Sequence, residues 1–308
     1  MTQAVIPPVD LKVLESELTS ERFIRKTNNG GNEIYILTHH DSPNVMREIG
    51  RLREITFREA GGGTGKEIDI DEYDIVDNAP YKQLIVWNPI EKEIVGGYRY
   101  IKCGDAFISN GVIHLATTEL FTFSEKFIKE YLPYTIELGR SFVQPKFQPT
   151  VDNRKGLFSL DNLWDGLGAL VVDNPDVKHF YGKVTMYTDF NVHARDLILA
   201  FMNYFFPDPE QLVTPIVPLT IKTDVSGFLK TINGLSYKEA HRILGQLVRE
   251  HGEHIPPLVN AYNNLSATMK CFGTSLNSHF GEVEETGILV TISDIYETKK
   301  ARHVDTYR

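Results

Sequence analysis

Hydrophobic and polar positions follow two periods along the chain, and these periods predict its strands and helices. Runs rich in β-branched and aromatic residues predict strands at 33–40, 83–88, 93–103, 134–143, 179–188, 267–276 and 287–295. Apolar residues spaced three and four apart predict an amphipathic helix from Leu160 and an aromatic-rich helix over 194–206. Because strands come in neighbouring pairs with helices between them, the pattern indicates a mixed α/β layer structure.

Capping residues set several helix boundaries. Ser42 as N-cap and Pro43 at the first helical position predict a helix start, and the glycines at 61–63 predict its end. Ser236 and Glu239 have the spacing of a capping box, which predicts a helix through about residue 250. The apolar stripe of the first helix consists of Val45, Ile49, Leu52 and Phe57.

The order of these elements divides the chain into four predicted segments. We expect an N-terminal extension over 1–32, an α/β core over 33–206, a helical insertion over 207–253 and a completion of the sheet over 254–308. A length of 308 residues allows roughly two domains, although a single elaborated α/β domain of this size is ordinary.

Composition and charge narrow the class of protein. Hydrophobic residues make up 42% and charged residues 24%, as in a globular protein. With 32 Lys+Arg against 41 Asp+Glu the net charge is −9, which speaks against non-specific nucleic-acid binding. The chain has two cysteines, no signal-peptide pattern at its start and no apolar run long enough to span a bilayer, so we expect a cytoplasmic protein.

Two clusters suggest chemistry but lack the spacing that the chemistry needs. The stretch AGGGTGKE at 60–67 has Ala60 and Glu67 where a phosphate-binding loop has Gly and Ser or Thr. His251 and His254 lack the spacing of a zinc motif. We therefore expect no metal site and no resident cofactor, and we interpret 60–67 as a loop that ends a helix.

Charged residues also interrupt elements that are otherwise apolar. Arg99 interrupts one strand, and Glu137 and Arg140 interrupt another. Because buried charges without partners are costly, these residues together are expected to pair or to line a cleft. For each residue alone, a surface ion pair is the more ordinary interpretation. The candidate set, in which Phe57 lies one helical turn after Arg53, is Arg53, Phe57, Asp71, Asp74, Arg99, Glu137 and Arg140.

Four motifs containing these residues occur in a characteristic order: RxxxF at 53–57, DxxD at 71–74, GYR at 97–99 and ELGR at 137–140. The ordered set resembles the acyl-homoserine-lactone synthase branch of the GNAT N-acyltransferases. It is more similar to the sister branch of amino-acid N-acyltransferases that begin ornithine-lipid and glycine-lipid synthesis, often labelled hemolysins. The resemblance covers about residues 33–200, and the stretch IPPLVNAY at 255–262 extends it towards 290.

Two departures from related families bear on the donor. Autoinducer synthases carry a Trp where this chain has Gly63, which argues against S-adenosylmethionine as co-substrate. Acetyl-CoA enzymes of the GNAT type carry Arg/Gln-x-x-Gly-x-Gly/Ala after the central strand, and no such motif follows from Gln144, Gln148 or Arg154. The resemblance therefore favours an acyl carrier protein over acyl-CoA as the thioester donor.

The resemblance implies a GNAT-like fold, which is a mixed, bent sheet flanked by helices whose two central strands splay apart. The strands at 134–143 and 179–188 would form the splayed pair and hold the pantetheine arm of the donor between them. Glu137 would act as general base, directly or through one water. Arg99 and Arg140 would bind the carboxylate of an amino-acid acceptor.

The remaining candidates have supporting roles in this interpretation. Asp71 and Asp74 would attract the ammonium of the acceptor or orient the arginines, and Arg53 would tie the first helix to the acidic loop. Phe57 would contribute to substrate binding. A basic patch of Lys146, Arg154 and Lys155 would dock the acidic carrier protein, with a scattered solvated set as the alternative.

One geometric condition follows from strand periodicity. Residues 137 and 140 have opposite parity, so on a regular strand their side chains would face opposite sides of the sheet. We therefore predict a β-bulge near Gly139 that brings Glu137 and Arg140 to one face.

The function that the resemblance implies is transfer of a long-chain, 3-hydroxy or unsubstituted acyl group from acyl carrier protein to the α-amine of glycine or ornithine. The first alternative is an acyl-CoA-dependent or autoinducer-type acyltransferase. The second is a non-catalytic GNAT-fold binding protein. Contact with the inner face of the membrane, where an acylated amino acid would go, is a further expectation.

Overall fold

The computed structural model describes residues 2–106, 108–109, 112–148 and 156–307. Strands and helices are numbered along the chain. The strands are β1 (Phe23–Lys26), β2 (Glu33–Leu37), β3 (Lys82–Asn88), β4 (Glu93–Lys102), β5 (Ile108–Ser109), β6 (Val112–Ile113), β7 (Phe121–Phe123), β8 (Thr135–Val143), β9 (His179–Met186), β10 (Val213–Pro215), β11 (Lys270–Asn277) and β12 (Val283–Thr291). The α-helices are α1 (Leu11–Glu17), α2 (Pro43–Glu59), α3 (Glu72–Ile75), α4 (Ser159–Asp173), α5 (Val192–Phe205), α6 (Ser226–Ile232), α7 (Tyr237–Glu250), α8 (Pro257–Asn263) and α9 (Glu297–His303).

A mixed sheet forms the centre of the fold. In the described ranges its strand order is β1-β2-β3-β4-β8-β9-β12-β11. The pair β8–β9 is parallel, whereas the other neighbouring pairs are antiparallel. Pairing between β8 and β9 begins at Thr135–His179 and ends at Leu138–Gly182, although both strands continue for several residues. The splay that the sequence resemblance implies is therefore confirmed, and it opens a gap between these strands.

Helices cover both faces of the sheet. On one face α4 and α5 bury the apolar positions of their stripes, including Leu163, Leu167 and Phe201, in the largest core. On the other face α2 packs Val45 and Ile49 against β3, β4 and β8. Burial of such side chains contributes about 1.5–3 kcal/mol each, so the two cores hold the splayed strands in place.

Most predicted elements are present, with small shifts at their ends. The capping box at Ser236 and Glu239 forms as predicted. Ser42 occupies the N-cap of α2, but its hydroxyl donates to Asp41 instead of accepting a bond from the helix. In the aromatic run, Phe201 and Phe206 are buried in the core, whereas Tyr204 is exposed. The helices α1, α3 and α9 and the edge strand β1 were not predicted.

The division into four segments stays a prediction. Strand β1 pairs with β2 although it lies in the segment expected to be an extension, and residues 207–253 contain α6 and α7 together with the short strand β10. No helix in the described part of the chain is long and apolar enough to cross a membrane.

Candidate active site

A buried cluster of arginines and aspartates lies where α2, α3 and β4 meet. The Nη1 atom of Arg99 lies 2.6 and 2.7 Å from the two carboxylate oxygens of Asp71 and 3.3 Å from Asp74. Arg53 on α2 donates to Asp74 at 3.2 Å and also to Gln83, whose amide donates to Asp74 at 2.9 Å. The predicted residues Arg53, Asp71, Asp74 and Arg99 therefore form one network.

The short helix α3 presents two of these carboxylates. Asp71 is its N-cap, and the carboxylate of Asp74 accepts a hydrogen bond from the backbone N–H of Asp71, so the two residues form a capping box. Burial alone would raise the pKa of Asp71, but the guanidinium groups of Arg99 and Arg140 outweigh burial and hold the pKa well below its usual range. Asp71 is therefore an anion that anchors both arginines.

The predicted bulge in β8 is confirmed, one residue beyond Gly139. Gly97 of β4 pairs with Phe142 and Arg99 pairs with Gly139, so one residue of β4 faces two residues of β8. Arg140 has a φ of 48° in this bulge, a left-handed conformation that costs a non-glycine residue about 1 kcal/mol or more. The bulge turns Arg140 towards the acidic cluster.

Arg140 joins the cluster to a wall of aromatic residues. Its Nε lies 2.8 Å from Asp69, and its Nη2 lies 3.4 Å from Asp71. The guanidinium also lies 4.3 Å from the ring centroid of Phe280, a cation–π distance. Phe57 packs edge-on against Phe280 at 5.1 Å, so the RxxxF motif reaches the same site.

Glu137 lies apart from the arginine cluster and is fully enclosed. Its carboxylate accepts hydrogen bonds from Tyr81 at 2.6 Å and Thr117 at 2.5 Å. Burial raises the pKa of Glu137, although these bonds and the charge of Arg99 oppose the rise. The Tyr81 ring lies 5.1 Å from the Arg99 guanidinium and thus connects Glu137 to the cluster.

The gap between β8 and β9 leads into a cavity of about 630 Å³. Its walls come from both faces of the sheet, from α2 on one side and from α4 and α8 on the other. Most of the lining is apolar, whereas Glu137 and Arg99 do not belong to it. Among the apolar contributors are Phe57, Leu160, Leu258, Tyr262, Ile288 and Val290.

The polar part of this lining includes a charged pair that sequence analysis missed. Lys183 of β9 forms an ion pair with Glu285 of β12, which also accepts a hydrogen bond from Asn277 at 2.9 Å. Burial alone would raise the pKa of Glu285, but Lys183 and Asn277 lower it. Lys183 directly follows Gly182, where pairing with β8 ends, and Arg140 also lines the cavity. Two cationic residues and one acidic residue thus line the cavity at the fork, which is the point where β8 and β9 separate.

The predicted docking residues are placed elsewhere or lie outside the described residues. Lys146 forms ion pairs with Glu91 and Glu93 beside the β3–β4 turn. Arg154 and Lys155 lie outside the described residues. The docking role of this patch stays a prediction.

Some of the missed residues carried a recognisable signal. Asp69 alternates with Asp71 in the stretch EIDID, and strand-like alternation places both carboxylates on one side. Lys183 interrupts an apolar strand in the same way as Arg99. Gln83 and Glu285 become functional candidates only through the strands that pack beside them. No group of residues suited to binding a metal ion occurs in the described ranges.

Residues 52–151 match the family described as "Acetyltransferase (GNAT) domain". Two solved structures are distant neighbours. The CoA-dependent acyl-homoserine lactone synthase BjaI, with S-adenosylmethionine and isopentyl-CoA, has a TM-score of 0.37 and 13% identity over 90% of this chain and 88% of that chain. The protein AAC(6')-Ib with ribostamycin and coenzyme A has a TM-score of 0.34 and 11% identity over 85% of this chain and 94% of that chain.

Two curated relatives cover nearly the whole chain. A glycine N(alpha)-acyltransferase of Phocaeicola vulgatus is 54% identical over 99% of this chain and 94% of the relative. A protein of the same name from Bacteroides thetaiotaomicron is 54% identical over 99% of this chain and 90% of the relative. The chain therefore belongs to the family of these glycine N(alpha)-acyltransferases and is a GNAT acyltransferase that acts on an amino acid.

Proposed function

We propose that this enzyme transfers a long-chain acyl group from the thioester of an acyl carrier protein to the α-amine of glycine. The observation that carries the proposal is the cavity at the fork of β8 and β9, which combines a largely apolar lining with the cations Arg140 and Lys183. The apolar lining suits a fatty chain, and the cations suit the carboxylate of a small acceptor. The product would be an N-acylglycine, an amphiphile of aminolipid synthesis.

The two arginines predicted to bind the acceptor carboxylate have different places in this proposal. Arg140 lines the cavity, whereas Arg99 is held by Asp71 and Asp74 outside its lining. We therefore assign the carboxylate contact to Arg140 together with Lys183. Arg99 acts as a positioning residue, because it fixes Asp71, which also holds Arg140.

The reaction requires that glycine loses two protons in all. The amine nitrogen forms a bond to the thioester carbon, the carbon–sulfur bond breaks, and the thiolate takes up one proton while the other goes to solvent. Glu137 is the proposed general base because burial raises its pKa, and since it lies outside the lining of the cavity it would act through one water. Glu285 is the alternative because its carboxylate faces the cavity. Lys183 also suits the oxyanion that develops on the carbonyl.

The acyl carrier protein is the proposed donor because the chain lacks the pyrophosphate-binding motif of acetyl-CoA enzymes after β8. A 3-hydroxy substituent on the acyl chain and a location at the inner face of the membrane are further parts of the proposal. Glycine is preferred over ornithine because both curated relatives carry glycine in their names.

The direct test is to incubate the purified enzyme with a long-chain acyl carrier protein and glycine and to detect products by mass spectrometry. We expect N-acylglycine and free carrier-protein thiol in equal amounts. Parallel reactions with ornithine, with S-adenosylmethionine and with acyl-CoA as donor test the alternatives. Turnover of ornithine or S-adenosylmethionine without turnover of glycine would overturn the acceptor, and equal kcat/KM values for acyl-CoA would overturn the donor.

A further inference from the structure

A second concave site lies on the surface between α7 and α8. This site, called here the basic groove, has a volume of about 270 Å³. It is defined by His241, Arg242, Gly245 and Arg249 of α7, by His254 and Ile255, and by Asn260 of α8. None of these residues belongs to the cavity at the fork.

The positive charge of the basic groove is only partly balanced within the described part of the chain, where the charge of Arg242 helps to lower the pKa of Glu239. Neither Arg242 nor Arg249 forms an ion pair there, although the whole chain carries a net charge of −9. The hydrogen bonds of the neighbouring acids go elsewhere: Glu239 completes the capping box of α7, and Glu250 accepts a hydrogen bond from Gln246 at 3.0 Å. The groove is therefore a local cationic surface on an acidic protein, which suits an anionic partner.

The glycine in the middle of the groove has no internal reason to be a glycine. A Cβ at Gly245 would meet only Nη1 of Arg249 at 3.5 Å, an ordinary contact distance. A glycine within a helix costs roughly 0.5–1 kcal/mol relative to alanine. In α4, by contrast, a Cβ at Gly166 would lie 2.6 Å from Leu84, so packing explains that glycine. Gly245 therefore adds no side chain to the lining of the groove.

Helix α8 and the segment before it separate the basic groove from the cavity. His254, Ile255 and Asn260 line the groove, while Pro256–Leu258 and Tyr262 line the cavity. A partner seated in the groove would thus lie one helix diameter, about 10 Å, from the acyl-binding cavity. Because the same segment contributes residues to both sites, a partner bound in the groove would lie beside the site of acyl transfer.

We propose that the basic groove docks the acidic surface of the acyl carrier protein, with Arg242 and Arg249 binding its carboxylates. The inference rests on the proposed carrier-protein donor. It places the partner beside α8 and not beside the β3–β4 turn, where Glu91 and Glu93 hold Lys146. The surface of the donor protein would be recognised by charge, while the cavity recognises the acyl thioester.

The test reverses both charges in the variant Arg242→Glu/Arg249→Glu and compares two donors. One donor is the long-chain acyl carrier protein, and the other is the same acyl chain on N-acetylcysteamine, which has no protein surface. We expect the KM for the carrier protein to rise at least about tenfold and its salt dependence to weaken. The kinetics with the small thioester should stay unchanged.

A matched control has the same change in charge on the other face of the sheet. Lys12→Glu/Arg47→Glu alters exposed residues of α1 and α2, and it should leave both donors unaffected. An unchanged KM for the carrier protein in the groove variant, equal losses with both donors, or groove-dependent binding to anionic lipid vesicles in place of the carrier protein would overturn the inference. If the wild type uses the small thioester but not the carrier protein, the proposed donor fails instead.

Discussion

Lys183 is the residue whose role is most directly testable, because it faces the cavity where β8 and β9 part. If its ammonium binds the acceptor carboxylate, Lys183→Met removes a charge-assisted hydrogen bond of about 2 kcal/mol, or roughly 30-fold in affinity. We expect the KM for glycine to rise by about this factor, with a smaller change in kcat. Steady-state kinetics at varied glycine concentration measure both constants.

Two further variants control for this result. Lys183→Arg keeps the charge and should recover part of the affinity. Lys102→Met removes a lysine that pairs with Asp176 outside the cavity, and it should change neither constant. A wild-type KM for glycine in Lys183→Met would exclude the carboxylate contact, and a fall in kcat alone would favour stabilisation of the oxyanion.

Glu137 links stability to pH. Its folded-state pKa is raised above the usual 4.5, so between pH 4.5 and the raised pKa the folded protein binds one more proton than the unfolded chain. The stability that this group contributes is therefore present at low pH and is lost as pH rises through the folded pKa. Glu137→Gln should abolish this pH dependence and match or exceed the wild type in stability at neutral pH.

Thermal unfolding across pH and turnover of the same variant separate the two roles of Glu137. As general base, Glu137→Gln should lower kcat by about 100-fold or more while the protein stays folded. A near wild-type kcat would remove Glu137 from catalysis, and a large loss in Glu285→Gln would then assign the proton transfer to Glu285.

At the scale of single residues, the sequence predicted much of the arginine–aspartate network. Arg99 and Arg140 stood out because they interrupt apolar strands, and the parity of residues 137 and 140 required the bulge. The separation of Glu137 from the cavity could not be predicted, because it depends on Tyr81 and Thr117, which are distant in sequence. Glu285 was missed because β12 reaches the cavity only through its pairing with β9.

Among the elements, α4 depends on glycine for its contact with α9. A Cβ at Gly168 would lie 2.0 Å from the carbonyl oxygen of His303, so Gly168→Ala must displace backbone. We expect a loss of about 1–3 kcal/mol in the free energy of unfolding, measured by urea denaturation. Gly227→Ala in α6 meets nothing within 4 Å and should be neutral or slightly stabilising. Equal stability of the two variants would contradict the assigned contact.

The helices and strands were predicted best where the hydrophobic periodicity was regular or where capping residues marked a helix end. The β3–β4 hairpin and the capping box of α7 needed only local information. Helix α3 has four residues, too few for a periodic signal, and α9 is polar at most positions. Helix α9 is held by tertiary contacts such as His303 to Asp165 at 2.8 Å, which no local pattern contains.

On the scale of the whole molecule, local patterns predicted an α/β protein but not its strand order. The family resemblance predicted that β8 lies beside β9, and the structure places β12 and β11 beyond them. Local patterns could not predict this order, because pairing between distant segments leaves no periodic signal. The cavity follows from that order, since it needs two adjacent parallel strands that part after Leu138 and Gly182.

The parting of these two strands leaves an inner edge in the sheet. Beyond Leu138 and Gly182, backbone amides and carbonyls of β8 and β9 no longer bond to each other. A donor arm that carries its own amide groups would take the position of the missing ladder, as added strands do in peptide recognition. Binding of the donor would then satisfy the backbone groups that β8 and β9 leave unpaired, and release of the product would expose these groups again.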